Sequence, residues 1–305
     1  MGHSHSHGNS HSHGAISPII ASTSEGLRAT AWSFAILMLT GLLQVYVVYL
    51  TGSVALLADT IHNFADAGTA IPLWIAFTLA RRAPSKRFTY GLGRVEDLAG
   101  IAIVLIIAFS ATVAGIQSVQ RLIHPTEVKE LGALIGAAAL GFIGNEVTAV
   151  IRLRTGRRIN SAALIADGYH AMTDGLTSLA VIAGAIGVYL GYPLADPIAG
   201  LIITLLIVRI VWQSAKTVFT RSLDGVESET VGEIEHALEH VEGIVSVDEI
   251  RARWIGHTLW AEVVVSAKAD LSLKQAQIIA LDIENEVKRH LPHLAQVSAR
   301  VKPIL

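Results

Sequence analysis

Cysteine is absent from the 305-residue sequence. Its absence excludes disulfide bonds, CxxC redox chemistry and zinc sites built from thiolates, so a bound metal would need His, Asp or Glu ligands. Charged residues are also scarce, at 16% of the chain, whereas a typical soluble domain has about a quarter. Together with a hydrophobic content of 52%, this scarcity argues against an ordinary soluble enzyme and favours membrane-embedded helices. The formal net charge of −2 gives no support for nucleic-acid binding.

The sequence has thirteen histidines, and several of them lie in a low-complexity segment at the N-terminus. Serine and glycine separate the histidines of this segment, which are His3, His5, His7, His11 and His13. Such a composition cannot build a core, so we predict a disordered, cytoplasmic tail over residues 1–20. Spaced imidazoles chelate metal readily, which makes the tail a candidate for labile zinc binding.

Six apolar stretches follow the tail, each near the roughly 20 residues that a helix needs to span a bilayer. They lie at about 28–50, 53–80, 98–122, 131–152, 161–190 and 195–215. Basic residues cluster between stretches two and three and between stretches four and five, whereas the opposite connections offer only Arg121 and Lys129. The positive-inside rule then places both termini in the cytoplasm. We predict an all-α, six-helix transmembrane domain over residues 21–222 of a multi-pass protein in the cell or inner membrane.

The composition changes after Phe219, where charged residues become frequent and apolar runs become short. The periodicities predict a helix at 227–240, strands at 245–253 and 258–266, a helix at 273–290 and a last strand at 297–302. The order α-β-β-α-β is typical of a small α+β domain of the ferredoxin-like type. We therefore predict a cytoplasmic domain over residues 223–305.

An internal repeat supplies most of the ionisable residues inside the apolar stretches. Stretches two and five share the pattern DxxHxxxD, formed by Asp59, His62 and Asp66 in the first copy and by Asp167, His170 and Asp174 in the second. Residues i and i+4 share one face of a helix, so each histidine lies beside the aspartate that follows it. An ionisable group in hydrocarbon costs about 2.5–3.5 kcal/mol unless it finds a partner or water. These groups therefore need an oppositely charged partner, a bound ion, protons or water.

If the two helices face each other, a cluster of two imidazoles and two carboxylates results. Its members would be His62, Asp66, His170 and Asp174, a tetrahedral ligand set suited to Zn²⁺ or a related transition metal. Protons can neutralise the same groups when metal is absent, and this competition is a physical basis for proton-coupled exchange. The alternative is that the motifs only hold helices together, although Asn or Ser would do so at lower cost.

These features resemble the cation diffusion facilitator family of zinc-type efflux transporters, over essentially the whole chain after the tail. Further matching pieces are Ser53-Val54-Ala55-Leu56-Leu57, Tyr90-Gly91 with Arg94 and Glu96, and Asp196-Pro197. The resemblance implies a homodimer that exports cytoplasmic Zn²⁺ or a related divalent cation in exchange for protons, by alternating access. It also implies that His62, Asp66, His170 and Asp174 are the transport-site ligands. A histidine at the first position is typical of zinc-preferring members.

Two further metal sites of family members match less well. Where a peripheral site would need Asp and His, this sequence has Ser85, Phe88 and Leu92, so we expect that site to be absent. In the C-terminal domain, Val264 and the segment 300–303 replace His and Asp ligands, so a matching regulatory site is not expected. Candidates for a different site are His236, His240, His257 and Asp248; the alternative for His236 and His240 is a solvated helix face.

The sequence predicts less specific roles for the remaining polar residues. Asp59 and Asp167 are candidates for orienting the histidines, lining the access path or supporting helix packing. Glu146 is a candidate for a structural ion pair or for guiding cations. Arg94 and Asp224 correspond to a charge pair that, in the family, ties the basic loop to the domain junction at the dimer interface.

Two other classes of protein compete with a transporter. A membrane enzyme with an intramembrane metal would need an HExxH motif or several His boxes, and the sequence contains neither. A membrane metal sensor would use the C-terminal domain as its output, but no signalling motif is recognisable there. We therefore expect a transporter with no organic cofactor, whose partners are the lipid bilayer, divalent ions, protons and a second copy of the chain. Efflux of Cd²⁺, Co²⁺, Ni²⁺ or Fe²⁺ is the alternative to Zn²⁺.

Overall fold

The computed structural model describes residues 18–51, 60, 63–64, 66–123, 131–192, 194–291 and 293–304. The helices that we number within these residues are α1 (Pro18–Thr51), α2 (Ala70–Ala80), α3 (Arg94–Ile123), α4 (Leu131–Ile159), α5 (Ala162–Tyr189), α6 (Ala195–Ser222), α7 (Ser228–Glu239) and α8 (Leu273–His290). The strands are β1 (Ile244–Ile255), β2 (Thr258–Ala267) and β3 (Leu294–Pro303). Since α1 begins at Pro18, a helix starts inside the last residues of the predicted tail.

Five of the described helices are long and apolar enough to cross a membrane. They are Ser22–Leu50 within α1, Arg94–Gln120 within α3, Gly132–Ile159 within α4, and the whole of α5 and α6. A shorter apolar segment, Asp66–Ala80, includes α2 and belongs to the predicted stretch 53–80. The helical membrane domain is thus confirmed, and its sixth helix rests on this shorter segment.

A turn at Thr69 separates α2 from the helical residues before it. Pro72 has no backbone N–H and cannot donate to the carbonyl of Gly68, which weakens the helix at this point. The backbone N–H and the hydroxyl of Thr69 instead lie 3.1 and 2.7 Å from the carbonyl oxygen of Asp66. The turn therefore fixes the helix end that carries Asp66.

The outer faces of the long helices carry large apolar side chains. Exposed examples are Trp32, Tyr49, Phe109, Leu205 and Trp212. An apolar surface of this extent is unusual for a protein in water but is suited to lipid. Inward-facing positions of α5 instead carry small residues, which let neighbouring helices approach closely. This arrangement is that of an integral membrane protein.

Helices α4 and α5 form a tight antiparallel hairpin around Asn160 and Ser161. Ser161 caps α5 by accepting a hydrogen bond from the backbone N–H of Leu164 at 3.1 Å. Further from the turn, a Cβ added to Gly168 would lie only 2.8 Å from Cγ of Leu153, so only glycine permits this approach. The hairpin brings residues at equal distances from the turn into contact.

The placement of the basic residues between stretches four and five differs from the prediction. The apolar pattern ended stretch four at residue 152, and it assigned the following arginines to a connection. In the structure α4 continues to Ile159, so that Arg152, Arg154, Arg157 and Arg158 all lie within the helix. Arginine is a good helix former, and apolar periodicity alone does not detect a polar continuation of a helix.

The C-terminal domain has the predicted α-β-β-α-β order. Its three strands are ordered β1-β2-β3, with β1 antiparallel and β3 parallel to β2. Helices α7 and α8 pack against the sheet through a core that includes Leu238, Val263, Val265, Ile283 and Val287. Ser272 and Gln275 form a reciprocal capping box at the start of α8. The α+β fold class is therefore confirmed.

The turn between β1 and β2 joins this domain to the helical domain. His257 in the turn lies with Nδ1 2.6 Å from Oε2 of Glu96 on α3, and with Nε2 2.9 Å from Oγ of Ser22 on α1. Glu96 also accepts a hydrogen bond from the hydroxyl of Ser161 through its other oxygen. Three segments of the chain thus meet at one buried carboxylate, and α1 is joined to them through His257.

Candidate metal centre

The second copy of the repeated motif and the last residue of the first copy meet in the helical domain. His170 Nε2 lies 3.7 Å from Oδ1 of Asp66, and His170 Nδ1 lies 3.4 Å from Oδ2 of Asp174. One ligand atom from each of the three residues lies within 4.8 Å of the others, and all three side chains are buried. Tetrahedral zinc with bonds of about 2.0–2.1 Å places its ligand atoms roughly 3.4 Å apart. The spacing therefore suits a small metal ion.

The other aspartate of the second copy has a different environment. Asp167 is fully buried, and its Oδ2 lies 3.0 Å from Nη1 of Arg152, which is also buried. The hydroxyl of Thr69 lies 3.2 Å from Oδ1 of the same carboxylate. The position of Arg152 follows from the α4–α5 hairpin, because residues 152 and 167 stand at nearly equal distances from its turn. Asp167 is thus held by a buried cation and a hydroxyl.

The ion pair between Arg152 and Asp167 changes the charge balance of the site. Three aspartates lie in this part of the bundle, and the one guanidinium that pairs with them within the described residues matches the charge of Asp167. Asp66 and Asp174 then contribute two negative charges beside His170. A divalent cation would neutralise both carboxylates, and so would two protons.

Several residues predicted for the site lie outside the described residues. His62 and Asp59 of the first motif belong to this group, as do all five histidines of the tail. Glu146 on α4 is half-buried, and its Oε1 would lie 3.0 Å from a Cβ added to Gly175. Because Gly175 follows Asp174 directly, Glu146 contacts the helix that carries the candidate ligands.

A second group of potential ligands lies in the C-terminal domain. One ring nitrogen each of His236, His240 and His290 lies within 4.8 Å of the other two. His290 was not predicted, because only the packing of α7 against α8 brings it to the two histidines of α7. One feature of the sequence pointed to His290: it lies in the last turn of α8, just as His236 lies in the last turn of α7.

The other two predicted candidates in this domain are engaged elsewhere. Asp248 accepts hydrogen bonds from Ser266 and Ser246, which lower the pKa of its carboxyl. Both ring nitrogens of His257 have partners at the domain junction. In the described part of the chain, neither residue has two other potential ligands near enough to share an ion.

The charge pair predicted from the resemblance forms within one chain. Arg94 donates a hydrogen bond to Asp224, and its guanidinium also donates to the carbonyl of Ser222 at 3.3 Å. Nearby, Arg221 donates to Glu227 at 3.0 Å and stacks over the ring of Trp254. These contacts tie the end of α6 to the start of α3 and to the C-terminal domain. They hold Asp224 at the boundary between the domains.

The fold and this buried cluster together describe a polytopic membrane protein with a metal-sized acidic site. Comparison with known families identifies the class: residues 31–221 match the family model described as the cation efflux transmembrane domain. Residues 226–304 match the model described as the cytoplasmic domain of cation efflux proteins. The chain therefore belongs to the cation diffusion facilitator family. It is a cation efflux protein for divalent metal.

Individual relatives extend over most of the chain. It is 48% identical to a "Probable cation efflux system protein" of Mycobacterium tuberculosis, over 95% of this chain and 87% of that protein. It is 27% identical to the manganese efflux system protein MneP of Bacillus subtilis, over 82% and 87% of the two chains. It is also 27% identical to a cadmium, cobalt and zinc/H(+)-K(+) antiporter of Bacillus velezensis, over 94% and 88%. Among solved structures, the MamM C-terminal domain is 21% identical, over 25% of this chain and 98% of that one, with a TM-score of 0.25.

Proposed function

We propose that this protein exports Zn²⁺ from the cytoplasm in exchange for protons, and that His62, Asp66, His170 and Asp174 bind the ion. The observation that carries the proposal is the buried cluster of Asp66, His170 and Asp174 within 4.8 Å of one another. Burying ionisable groups at such depth costs several kcal/mol, and a bound cation or bound protons would offset that cost. His62 completes the set by the symmetry of the repeat.

The donor atoms favour zinc among divalent metals. Two imidazoles and two carboxylates provide nitrogen and oxygen ligands for a tetrahedral ion of borderline softness. Manganese prefers an all-oxygen set of carboxylates, carbonyls and water, so the manganese named for the Bacillus subtilis relative is the weaker choice. The zinc, cadmium and cobalt named for the Bacillus velezensis relative suit this ligand set. Cd²⁺, Co²⁺, Ni²⁺ and Fe²⁺ are the alternatives.

Proton exchange follows from the charge of the cluster. When Zn²⁺ leaves, Asp66 and Asp174 would retain two negative charges in a medium of low dielectric constant. Protons binding to these carboxylates and to His170 remove that charge, so metal and protons compete for the same atoms. Arg152 does not take this role, since its guanidinium already pairs with Asp167 at 3.0 Å. If the cluster is exposed alternately to the two sides of the membrane, the flux of zinc would be coupled to the opposite flux of protons.

The remaining parts of the proposal concern assembly and orientation. Residues 226–304 match a cytoplasmic domain, which supports a cytoplasmic C-terminus, and with the six proposed spans the N-terminus would be on the same side. The shared family supports a homodimer. Glu146, half-buried beside α5, is proposed to lie on the path by which cations reach the cluster. Asp59 is proposed either to orient His62 or to line the same path.

Flux in proteoliposomes with an acidic lumen tests the proposal. Zn²⁺ added outside should accumulate in the lumen, reported by a trapped zinc dye, and a trapped pH dye should record protons leaving. Asp174→Asn keeps the size of the side chain and removes a charged ligand, so uptake should fall to the level of protein-free liposomes. Thr177→Ala is the matched control on the same helix, because the Thr177 hydroxyl donates to the carbonyl of Thr173 at 2.9 Å and is not one of the candidate ligands.

Wild-type uptake by Asp174→Asn would contradict the assignment of the site. Zinc uptake without proton release would contradict the antiport. Binding of zinc with no flux in the wild type would instead favour a metal sensor. The same assay with each alternative metal ranks the substrates.

A further inference from the structure

Three histidines form a compact group at the ends of the two C-terminal-domain helices. His236 and His240 are one turn apart on α7, with His240 as its C-cap, and His290 is the last residue of α8. The ring centroids are 4.8 Å apart for His236 and His240, 5.9 Å for His236 and His290, and 5.7 Å for His240 and His290. We call these three residues the helix-end triad.

Hydrogen bonds fix which nitrogen of each ring is available. Nδ1 of His240 lies 2.9 Å from the carbonyl oxygen of His236, and Nδ1 of His290 lies 3.0 Å from that of Glu286. Nδ1 of His236 lies 3.2 Å from a carboxylate oxygen of Glu239. Carbonyl and carboxylate oxygens only accept, so in a neutral ring these contacts leave the hydrogen on Nδ1 and the lone pair on Nε2. Metal-binding histidines in proteins are oriented by this kind of hydrogen bond.

The electrostatic surroundings favour a cation. The last turns of α7 and α8 meet at the helix-end triad, and each helix C-terminus carries a partial negative charge from its unpaired carbonyls. The carboxylates of Glu239 and Glu286 lie beside His236 and His290. His236 and His240 are exposed, so the rings converge at the surface and not within a hydrophobic core. A solvated helix face alone would not require the three rings to converge.

We propose that His236, His240 and His290 bind a divalent ion of the zinc class, as a site separate from the buried cluster of the helical domain. Imidazole ligands suit Zn²⁺, Co²⁺, Ni²⁺ and Cu²⁺. Three protein ligands leave a fourth position of a tetrahedral ion for water or for the carboxylate of Glu239. The ring nitrogens need to close from within 4.8 Å to roughly 3.4 Å, which exposed side chains at helix ends achieve by rotation. A bound ion would tie the end of α7 to the end of α8.

The test measures each histidine separately in the full-length protein in detergent micelles. Carbethoxylation of imidazole nitrogens is followed by mass spectrometry while Zn²⁺ is titrated. His236, His240 and His290 should become protected together, with one common midpoint. Because the readout is specific for each residue, zinc bound at the tail or in the helical domain does not enter it.

Substitution of one ligand distinguishes a shared ion from independent effects. His290→Gln should raise the zinc midpoint for protection of His236 and His240 at least about tenfold, since one of three ligands is lost. His293→Gln is the matched control, because His293 is close in sequence but does not belong to the helix-end triad; it should leave the midpoint unchanged. His236→Gln gives a second, surface substitution, which should raise the midpoint for His240 and His290 even if His290→Gln fails to fold.

Three results would overturn the proposal. One is the absence of zinc protection at the three histidines, and another is protection with different midpoints. The third is an unchanged midpoint in both ligand variants, which would mean that the rings do not share an ion.

Discussion

The two groups of metal-capable residues differ in charge and in access to water. In the helical domain, Asp66, His170 and Asp174 are buried and include two carboxylates; at the helix-end triad, His236 and His240 are exposed and all three groups are imidazoles. Carboxylates in low dielectric are costly unless a cation or protons neutralise them, whereas imidazoles at the surface can be hydrated when no ion is bound. The comparison teaches that environment, as well as ligand type, distinguishes the two candidate sites.

The same contrast applies to the partners that acidic side chains have in the two regions. Arg152 and Asp167 are almost completely excluded from water, while the pair of His236 and Glu239 has exposed fractions of 63% and 74%. Removing one partner of a buried pair leaves an uncompensated charge, but removing one partner of an exposed pair leaves a solvated one. Substitutions at the two pairs therefore measure how much more an unpaired charge costs in the helical domain than at the surface of the C-terminal domain.

The largest expected effect is on Arg152. Arg152→Met should lower the stability of the helical domain by about 3–5 kcal/mol, because Asp167 is left buried without its cation. Glu239→Gln, its counterpart at the exposed pair, should change stability by about 0–1 kcal/mol. The measurement is the temperature at which each purified variant loses its monodisperse peak in size-exclusion chromatography.

A double variant sharpens this test. Arg152→Met combined with Asp167→Asn removes the uncompensated charge, so the double variant should recover most of the stability that Arg152→Met loses. Equal effects of Arg152→Met and Glu239→Gln would show that the bundle around Arg152 is as well hydrated as the surface of the C-terminal domain. That result would remove the electrostatic argument for proton exchange.

The boundary between the two regions should show an intermediate effect. Glu96 accepts hydrogen bonds from His257 and Ser161, and its side chain is buried. Glu96→Gln keeps the shape but loses the charge, so it should cost about 1–3 kcal/mol. Hydrogen exchange should accelerate in the β1–β2 turn and at the start of α5, and remain unchanged in α8.

Glu249→Gln is the control for the boundary, since Glu249 pairs with Arg251 at the exposed surface of β1. Its exchange pattern should match the wild type. If Glu96→Gln left the β1–β2 turn equally protected, the domains would be held together by other contacts. Arg94 with Asp224, and Arg221 with Glu227, would then be the groups to test.

The parts of this molecule that were predictable from sequence are those determined locally. The i to i+4 spacing predicted that His170 and Asp174 share one helix face, and the repetition of the motif predicted that Asp66 joins them. Alternating patterns likewise predicted the strands of the C-terminal domain. Local patterns therefore account for the fold class and for the composition of the candidate site.

The parts that were not predictable depend on contacts between distant segments. Arg152 was assigned to a connection because apolar periodicity ends before α4 does, so its pairing with Asp167 was missed. His257 was a candidate ligand until its contact with Glu96, 161 positions away in sequence, placed it at the domain junction. His290 joins His236 and His240 only through the packing of two helices. Tertiary contacts of this kind leave little trace in a single sequence.

The smallest expected effect concerns pH in the C-terminal domain. Burial, with the charges of His257 and Arg221 as further causes, lowers the pKa of His293 below its ordinary value of 6.5. The folded domain then binds fewer protons than the unfolded chain in the interval between the lowered pKa and 6.5. Stability from this group is therefore complete above pH 6.5, decreases as the pH falls through that interval, and levels off below the folded-state pKa. Since His293 retains solvent contact, the change should be under about 1 kcal/mol.

Hydrogen exchange of β2 and β3 between about pH 7.5 and about pH 5.5 measures this change, after correction for the intrinsic exchange rate. The wild type should lose protection on acidification, and His293→Gln should lose less, because glutamine has no proton to bind. Asp66 and Asp174 lie in the other region, so Asp174→Asn should leave the pH dependence of these strands unaltered. An equal acid response of wild type and His293→Gln would rule out His293 as its source. Arg221 lowers the pKa of Glu227 against the opposing effect of burial, so Glu227 titrates below this pH interval and would not supply the response. Because Glu227 is stabilising only while ionised, its contribution falls at lower pH than that of His293, and the pH of the midpoint separates the two.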